Sequence, residues 1–483
     1  MMVRITMKAP STKYSPITSE IVEKLRRIVG PAYVLFGDAE RLEPFSHDEI
    51  PERGYAHSPE AVVRPGSAEE VAAIMKLANR RLFPVTPRGA GSGLSGGAVP
   101  ICGGVVMLMD RLNRILEIDR ANMMIVVEPG VITNDINLAV KEFGLFYAGY
   151  PMSLEVCTIG GNVAENAGGA RAVKYGVTVR YVVGLEVVTP TGEILQLGGK
   201  LLKDVTGYNL VPFMVGSEGT LGIFTKIILR LLPLPKVSVD LLALFRTVPD
   251  AIAAVPRIIT TGGVIPTAVE FMDRLAAQTS CDYLNETLPY QQAGAMLLVT
   301  VDGSDASAVE ADYEAVGEQC LAAGAIEVYV ADNLTTSERI WRVRRNIAEA
   351  FNILSLRQTD EDLVVPIAQI HKLVEGIGRL SKKYDVAIPS YGHAADGNIH
   401  TRIVMNPAWS DRQWEQTVPK MLHELYELTA SLGGKISGEH GIGHKRKAYM
   451  PLFVSADVLD VMRAIKRAMD PRNVLNPSKI FDV

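Results

Sequence analysis

The chain has 483 residues, 49 of them basic and 54 acidic, for a net charge of -5, with 48% hydrophobic and 21% charged side chains. These are the proportions of an ordinary globular protein of roughly two to four domains, and they exclude a generally basic nucleic-acid binder. Four scattered cysteines, Cys102, Cys157, Cys281 and Cys320, show no Cys-x-x-Cys spacing, which excludes a disulfide scaffold and an iron–sulfur cluster held by this chain.

No stretch reads as a secretory signal or as an apolar run long enough to span a bilayer, so the cytoplasm is the expected location. Ser19 opens a helix carrying Ile21, Leu25 and Ile28 on one face, stopped by Gly30-Pro31. From Ala61 short β runs alternate with turns: 61–65, then a helix opened by Ser67, then 82–87, 105–109, 124–127 and 181–189. A long β run over 222–232 ends at Pro233 and Pro235, where a domain boundary is expected. Helices then alternate with strands such as 297–301 and 326–330, as in an α+β domain, and the chain returns to a helix with Val458, Met462, Ile465 and Met469 on one face.

Three glycine-rich segments interrupt the first half. Residues 87–98 contain a literal G-x-G-x-x-G at Gly91, Gly93 and Gly96, but the sequence that follows, Gly97-Ala98-Val99-Pro100, cannot open the helix a Rossmann fingerprint needs. The alternative is a non-helical nest of backbone N–H groups around a pyrophosphate. Further glycine-rich loops at 159–176 and 216–223 suit a long cofactor gripped along its length by main-chain groups.

Four of the eight histidines, His393, His400, His440 and His444, fall in the second distinctive region. Asp396-Gly397 reads as a two-residue hairpin turn, which sets His393 directly opposite His400, with Cβ atoms about 4.5–5.5 Å apart on one face. Two such imidazoles can chelate a metal ion with Glu439 as the third ligand, and three ligands with an open position form a catalytic rather than a structural site. His440 is then available as a base. The competing reading is a polar hairpin with surface histidines. For the basic helix around Trp341-Arg342-Val343-Arg344-Arg345 the competing reading is a solvated face, and His444, Lys445 and Arg446 read as a surface turn.

In their order along the chain, the stretches 87–98, 160–176, 216–225, 392–400, 437–443 and 473–477 resemble the flavoprotein oxidases and dehydrogenases of the vanillyl-alcohol oxidase and p-cresol methylhydroxylase fold. Within that fold they are similar to the branch of D-lactate dehydrogenases, D-2-hydroxyglutarate dehydrogenases and the FAD subunit of glycolate oxidase. The resemblance implies an α+β protein. A lead-in (1–54) would precede a two-subdomain FAD-binding domain (55–235), an α+β, ferredoxin-like substrate domain (236–430) and a helical C-terminal segment (431–483) completing the site.

It also implies residue roles. Arg88, Gly89, Ala90, Gly91, Ser92, Gly93, Leu94, Ser95, Gly96 and Gly97 would cradle the FAD pyrophosphate. Pro151, Gly160, Gly161, Asn162, Gly168, Gly169 and Ile223 would line the cofactor, with Asn476 approaching from the tail. The first loop has no histidine for covalent attachment, so the FAD is expected to be non-covalent. His393, His400 and Glu439 would bind a divalent metal (zinc, manganese or iron), His440 would be the base and Arg344 the partner of the substrate carboxylate. A 2-hydroxy acid chelating the metal would lose its hydroxyl proton to His440 as hydride passes to flavin N5.

Two departures bear on the substrate. Where the hydroxyglutarate enzymes hold a second carboxylate, this chain has Ala348 and Asp360, so a small monocarboxylate such as D-lactate or glycolate is favoured; Asp360 and Glu361 read equally as a solvated loop. D-2-hydroxyglutarate, and a catalytically idle electron-relay subunit, remain alternatives. Electrons would pass to a quinone, an electron-transfer flavoprotein or an iron–sulfur subunit, which allows membrane association through a partner, and a homodimer is compatible.

Overall fold

A computed structural model describes residues 13–51, 53–331 and 333–483. The opening apolar periodicity forms the helix Ser19–Val29, with Ile21, Val22, Leu25 and Val29 buried. Its N-cap is Thr18 rather than Ser19, the Thr18 hydroxyl accepting from the Ile21 N–H. An 11-residue helix is marginal alone, and burial of each of those side chains stabilises by about 1.5–3 kcal/mol. The helix Ala68–Arg81 is capped by Ser67, whose hydroxyl accepts from the Glu70 N–H. Both helices share a core with a four-stranded sheet ordered Val34–Phe36, Ala61–Val63, Val105–Leu108, Val85–Arg88, whose last three strands run parallel.

A second sheet holds five antiparallel strands ordered Ile115–Asp119, Met124–Val127, Ile223–Arg230, Val182–Val188, Ile194–Gly198. Its two edge strands, 115–119 and 194–198, were not expected from the sequence, because charged and polar residues on their open faces dilute the β pattern. The segment 159–165, expected as a loop, is instead a short helix whose first turn contains Gly160 and Gly161.

After Pro235 the chain enters a seven-stranded antiparallel sheet ordered Ala325–Ala331, Val237–Phe245, Ala295–Gly303, Ala268–Asp273, Ser390–His393, Asn398–Val404, Gln358–Val364. The first four strands, with the helices Val248–Thr260 and Ala306–Ala322, reproduce the βαββαβ arrangement of a ferredoxin-like unit. The remaining three strands extend it and carry the histidine hairpin. The tail then returns to the first sheet, where Val85 N donates to Val474 O at 2.8 Å and Asn476 N to Val85 O at 2.7 Å. Lys466 locks this return from the helix Ala456–Met469: its buried ammonium donates to Thr220 O, Leu475 O and Asp470 Oδ2 at 2.6–2.8 Å. No helix among the described residues is long and apolar enough to cross a membrane.

Candidate active site

A cavity of about 440 Å³ opens where the three glycine-rich segments and the C-terminal loop meet. Residues 88–95 and Gly97 form one wall; Pro151, Gly160, Gly161, Asn162 and Gly168 form another; Ile223, Asn476, Glu439 and His440 complete it. Gly96 and Gly169 are not on the wall: Gly96 N donates to Asp48 Oδ2 at 2.8 Å, and Gly169 packs on the Tyr150 carbonyl.

The first segment is held open by Arg88, whose guanidinium lies beneath the loop and donates to His47 O at 2.7 Å and Pro44 O at 3.3 Å. A Cβ on Gly91, at φ +79°, would collide with that guanidinium, so glycine is required there. Asn476 ties the first and third segments together, its Nδ2 donating to Gly97 O at 3.0 Å and Glu218 O at 2.8 Å. Three polar atoms of the wall residues, Thr158 Oγ1, Glu165 Oε2 and Asn476 Oδ1, are buried without a hydrogen-bond partner. Orphaned polar atoms around a long, glycine-lined cavity fit a cofactor with many hydrogen-bonding groups, such as FAD.

At the cavity's end stand His393, His400 and Glu439, each offering a ligand atom, all within 4.8 Å of one another. Both histidines are buried, at 3% and 5% exposure, which rules out a surface hairpin. Glu439 Oε1 lies 3.5 Å from His393 Nε2 and 3.3 Å from His400 Nε2. His393 Nδ1 is held by Glu270 Oε1 at 2.6 Å, which turns its Nε2 toward the shared point, and Nε2 has no hydrogen-bond partner of its own. Burial opposes charge on His393 and Glu439, yet Glu270 and Glu439 push the His393 imidazole well above its ordinary range, while His393 and His400 hold the Glu439 carboxyl well below its own. Two imidazoles and a carboxylate whose ligand atoms converge in this way suit a divalent cation.

The hairpin's register differs from the expected one. His393 pairs with Asn398 and His400 with Tyr391, so the turn contains four residues, 394–397, rather than two. The reason is tertiary. Ala394 and Ala395 are buried, and Ala394 N donates to Val269 O, which draws both residues out of the strand ladder.

The strand Gln358–Val364 supplies the carboxylates that the sequence reading left as repelling or solvated. Asp360, Glu361 and Asp362 are all buried, and alternation sends Asp360 and Asp362 toward the histidines and Glu361 to the other face. Asp362 Oδ2 accepts from Ser437 Oγ and from the N–H groups of Gly438, Glu439 and His440 at 2.6–3.0 Å, which fixes the loop that carries two of the site residues. Asp360 Oδ2 lies 3.1 Å from His440 Nδ1, and its Oδ1 lies 3.4 Å from Arg402 Nε. Burial would raise the Asp360 carboxyl, but Arg402, His440 and Lys445 hold it far below its usual range. Its charge is therefore matched within the protein, and it does not stand as an unpaired charge to repel a second carboxylate.

Lys445 and Arg446, expected on a surface turn, are buried against this strand; Arg446 Nη2 donates to Asp360 O at 3.0 Å. The sequence signal for both corrections was the acidic run 360–362 leading straight into Leu363-Val364-Val365, a β run whose burial requires buried cations beside the carboxylates.

Arg344 is also buried. Its Nη2 lies 2.6 Å from Glu270 Oε2, its guanidinium sits over the Tyr391 ring, and its Nε has no hydrogen-bond partner. The arginine on the cavity wall is its neighbour Arg345, beside Ala348.

Comparison with known proteins agrees with this architecture. Residues 59–198 match the family described as "FAD binding domain", and residues 234–480 the family "FAD linked oxidases, C-terminal domain". The chain is 39% identical over 465 residues to glycolate oxidase subunit GlcD of Bacillus subtilis, covering 96% of this chain and 97% of that one. It is 38% identical over 473 residues to a D-lactate dehydrogenase of Anaerostipes hadrus, covering 97% and 98%. Among solved structures, p-cresol methylhydroxylase shares the fold, with a TM-score of 0.77 at 19% identity over 95% of this chain and 96% of that one. The chain belongs to the FAD-linked oxidase family. It is an FAD-linked oxidoreductase of the vanillyl-alcohol oxidase and p-cresol methylhydroxylase fold, in the D-lactate dehydrogenase and glycolate oxidase branch.

Proposed function

We propose that the chain is a metal-assisted dehydrogenase that oxidises a small 2-hydroxy acid, D-lactate or glycolate, to the 2-oxo acid. The observation that carries this reading is the convergence of His393, His400 and Glu439 within 4.8 Å, beside His440 on the wall of the FAD cavity. FAD, held non-covalently, supplies a two-electron hydride acceptor when bound. A divalent zinc, manganese or iron ion, held by the three ligands, supplies Lewis acidity for the substrate hydroxyl.

The protein's own groups do the rest. His440 is the base that takes the hydroxyl proton at Nε2: Asp360 Oδ2, 3.1 Å from Nδ1, orients the ring so that Nε2 faces Glu439. His440 stacks on His400 with ring centroids 5.0 Å apart, which sets the base beside the metal ligands. The buried Nε of Arg344 is a donor for the substrate carboxylate. The wall glycines Gly89, Gly91, Gly93, Gly160 and Gly161 leave main-chain groups open to a bound cofactor.

The names of the relatives support the small-acid reading, since one is a glycolate oxidase subunit and another a D-lactate dehydrogenase. Because Asp360 is neutralised by Arg402, D-2-hydroxyglutarate stays as the second substrate reading. The scattered cysteines leave the chain without a cluster of its own, so the electrons go to an external acceptor: a quinone, an electron-transfer flavoprotein or an iron–sulfur subunit. The test is anaerobic bleaching of the flavin by each candidate acid; a flavin that no 2-hydroxy acid reduces would remove the reading.

A further inference from the structure

Two glutamates with no part in the reaction above meet beside the cavity. Glu165 closes the helix Ile159–Glu165, and Glu218 stands in the third glycine-rich segment at φ +50°. Both are wall residues. Glu218 grips the turn that follows Glu439 and His440: its Oε1 accepts from Ile442 N at 2.8 Å and its Oε2 from Gly443 N at 2.6 Å. Glu165 Oε1 accepts from Ser95 Oγ at 3.2 Å, and its Oε2 is buried with no hydrogen-bond partner. A Cβ placed on Gly441 would collide with Glu165 Oε2 and lie 3.1 Å from Glu218 Oε1. Carboxylate oxygens from two separate elements thus converge on one point of the catalytic loop.

Two buried carboxylates so close do not both stay charged, because each raises the cost of ionising the other. The charge belongs on Glu218, which has two backbone N–H groups, whereas Glu165 has one hydroxyl. The surrounding charges agree. Asp48 adds a third negative group near Glu165, Arg446 faces both glutamates and Lys479 faces Glu218. Burial and then Glu218 push the Glu165 carboxyl well above its ordinary range; burial raises Glu218 too, but the Ile442 and Gly443 N–H groups, Lys479 and Arg446 oppose it. A neutral Glu165 also keeps negative charge away from Ser95 and Gly97, in the loop expected to hold the cofactor's pyrophosphate.

We propose that Glu165 and Glu218 share one proton, carried by Glu165, and act as a pair of positioning residues. The Glu218 carboxylate fixes the Ile442–Gly443 turn, and the neutral Glu165 seats Gly441. Through them the flavin-binding half of the chain sets the place of the loop that carries Glu439 and His440. The value of that placement rests on the proposed function; the acid–carboxylate pair does not.

Two measurements on the FAD-loaded protein test the pair without using turnover. Infrared difference spectra of wild type against E165Q at neutral pH should show the C=O band of a buried protonated carboxyl, deuterium-sensitive, in the wild type only. Hydrogen exchange followed by mass spectrometry should show protection of the 442 and 443 amides falling about tenfold or more in E218Q, the cost of losing a charged acceptor, and held within a few-fold in E165Q. Absence of the carboxyl band, or unchanged exchange in flavin-loaded E218Q, would overturn the proposal. The infrared comparison needs only wild type and E165Q, so it decides the proton's place even where E218Q does not fold. A wild type that binds no divalent ion would defeat the proposed function and leave both readouts intact.

Discussion

His393 and His400 are diagonal, not opposite, neighbours in their hairpin, yet their rings stand 5.3 Å apart and nearly perpendicular, both aimed at Glu439. Diagonal residues on one sheet face are within reach of long or aromatic side chains, so the shift in register preserves the chelating geometry. H393A or H400A should therefore lose stoichiometric metal. E270Q, which removes the carboxylate that orients His393, should bind it about 10–100-fold more weakly. Metal analysis after dialysis and a zinc titration check both; wild-type affinity in E270Q would contradict the orienting role.

In the proposed reaction His440, 3.1 Å from Asp360, is the proton acceptor. H440N should slow anaerobic flavin reduction by about 10²–10⁴-fold while leaving the flavin spectrum unchanged. D360N should slow the same step, because an amide in place of the carboxylate no longer fixes the tautomer that leaves Nε2 free. Stopped-flow reduction under saturating acid is the measurement, and a fast H440N would move the base elsewhere.

Arg344 and Arg345 can be told apart. Loss of a charged hydrogen bond to the substrate carboxylate costs about 1.5–3 kcal/mol, so R344K should raise the substrate Kd about tenfold or more. R345A removes a side chain that pairs with exposed Glu338 and should weaken binding less. The reverse order would make Arg345, on the cavity wall, the carboxylate partner.

His444 gives a pH-dependent stability. It sits edge-on to Tyr55, faces Ser478 O through Nδ1, and is pushed down to about 4 by burial and by Lys479 and Lys447. A histidine whose folded value lies below its unfolded value of about 6.5 stabilises the fold fully above that value and loses this contribution as pH falls through about 4. The loss amounts to about 3 kcal/mol over that window. Urea unfolding of wild type and H444Q across it should show a shallower decline in the variant; parallel declines would contradict the assignment.

What the sequence made legible was local. The Ser67-capped helix, the β runs at 61–63, 105–108 and 182–188, and the non-helical first glycine segment follow from capping, β-branched content and the Gly-Ala-Val-Pro sequence after Gly96. The convergence of His393, His400 and Glu439 was visible because histidine is scarce in this chain and clustered. Long-range packing was not legible. The two-residue turn signal at Asp396-Gly397 gave way to burial of Ala394 and Ala395. Asp360 and Glu361 read as a solvated loop until their partners at 402 and 445–446 were in place. The helix Ile159–Glu165 forms despite two glycines because Gly160 packs against Pro129 where a Cβ would not fit.

The central claim, metal-assisted oxidation of a 2-hydroxy acid by this flavoprotein, is tested most directly by anaerobic absorbance titration with D-lactate, L-lactate, glycolate and D-2-hydroxyglutarate, with and without a chelator. The account predicts bleaching by D-lactate or glycolate that chelation abolishes and added metal restores. Bleaching that survives complete metal removal, or a flavin that stays oxidised with every acid while metal is bound, would contradict it.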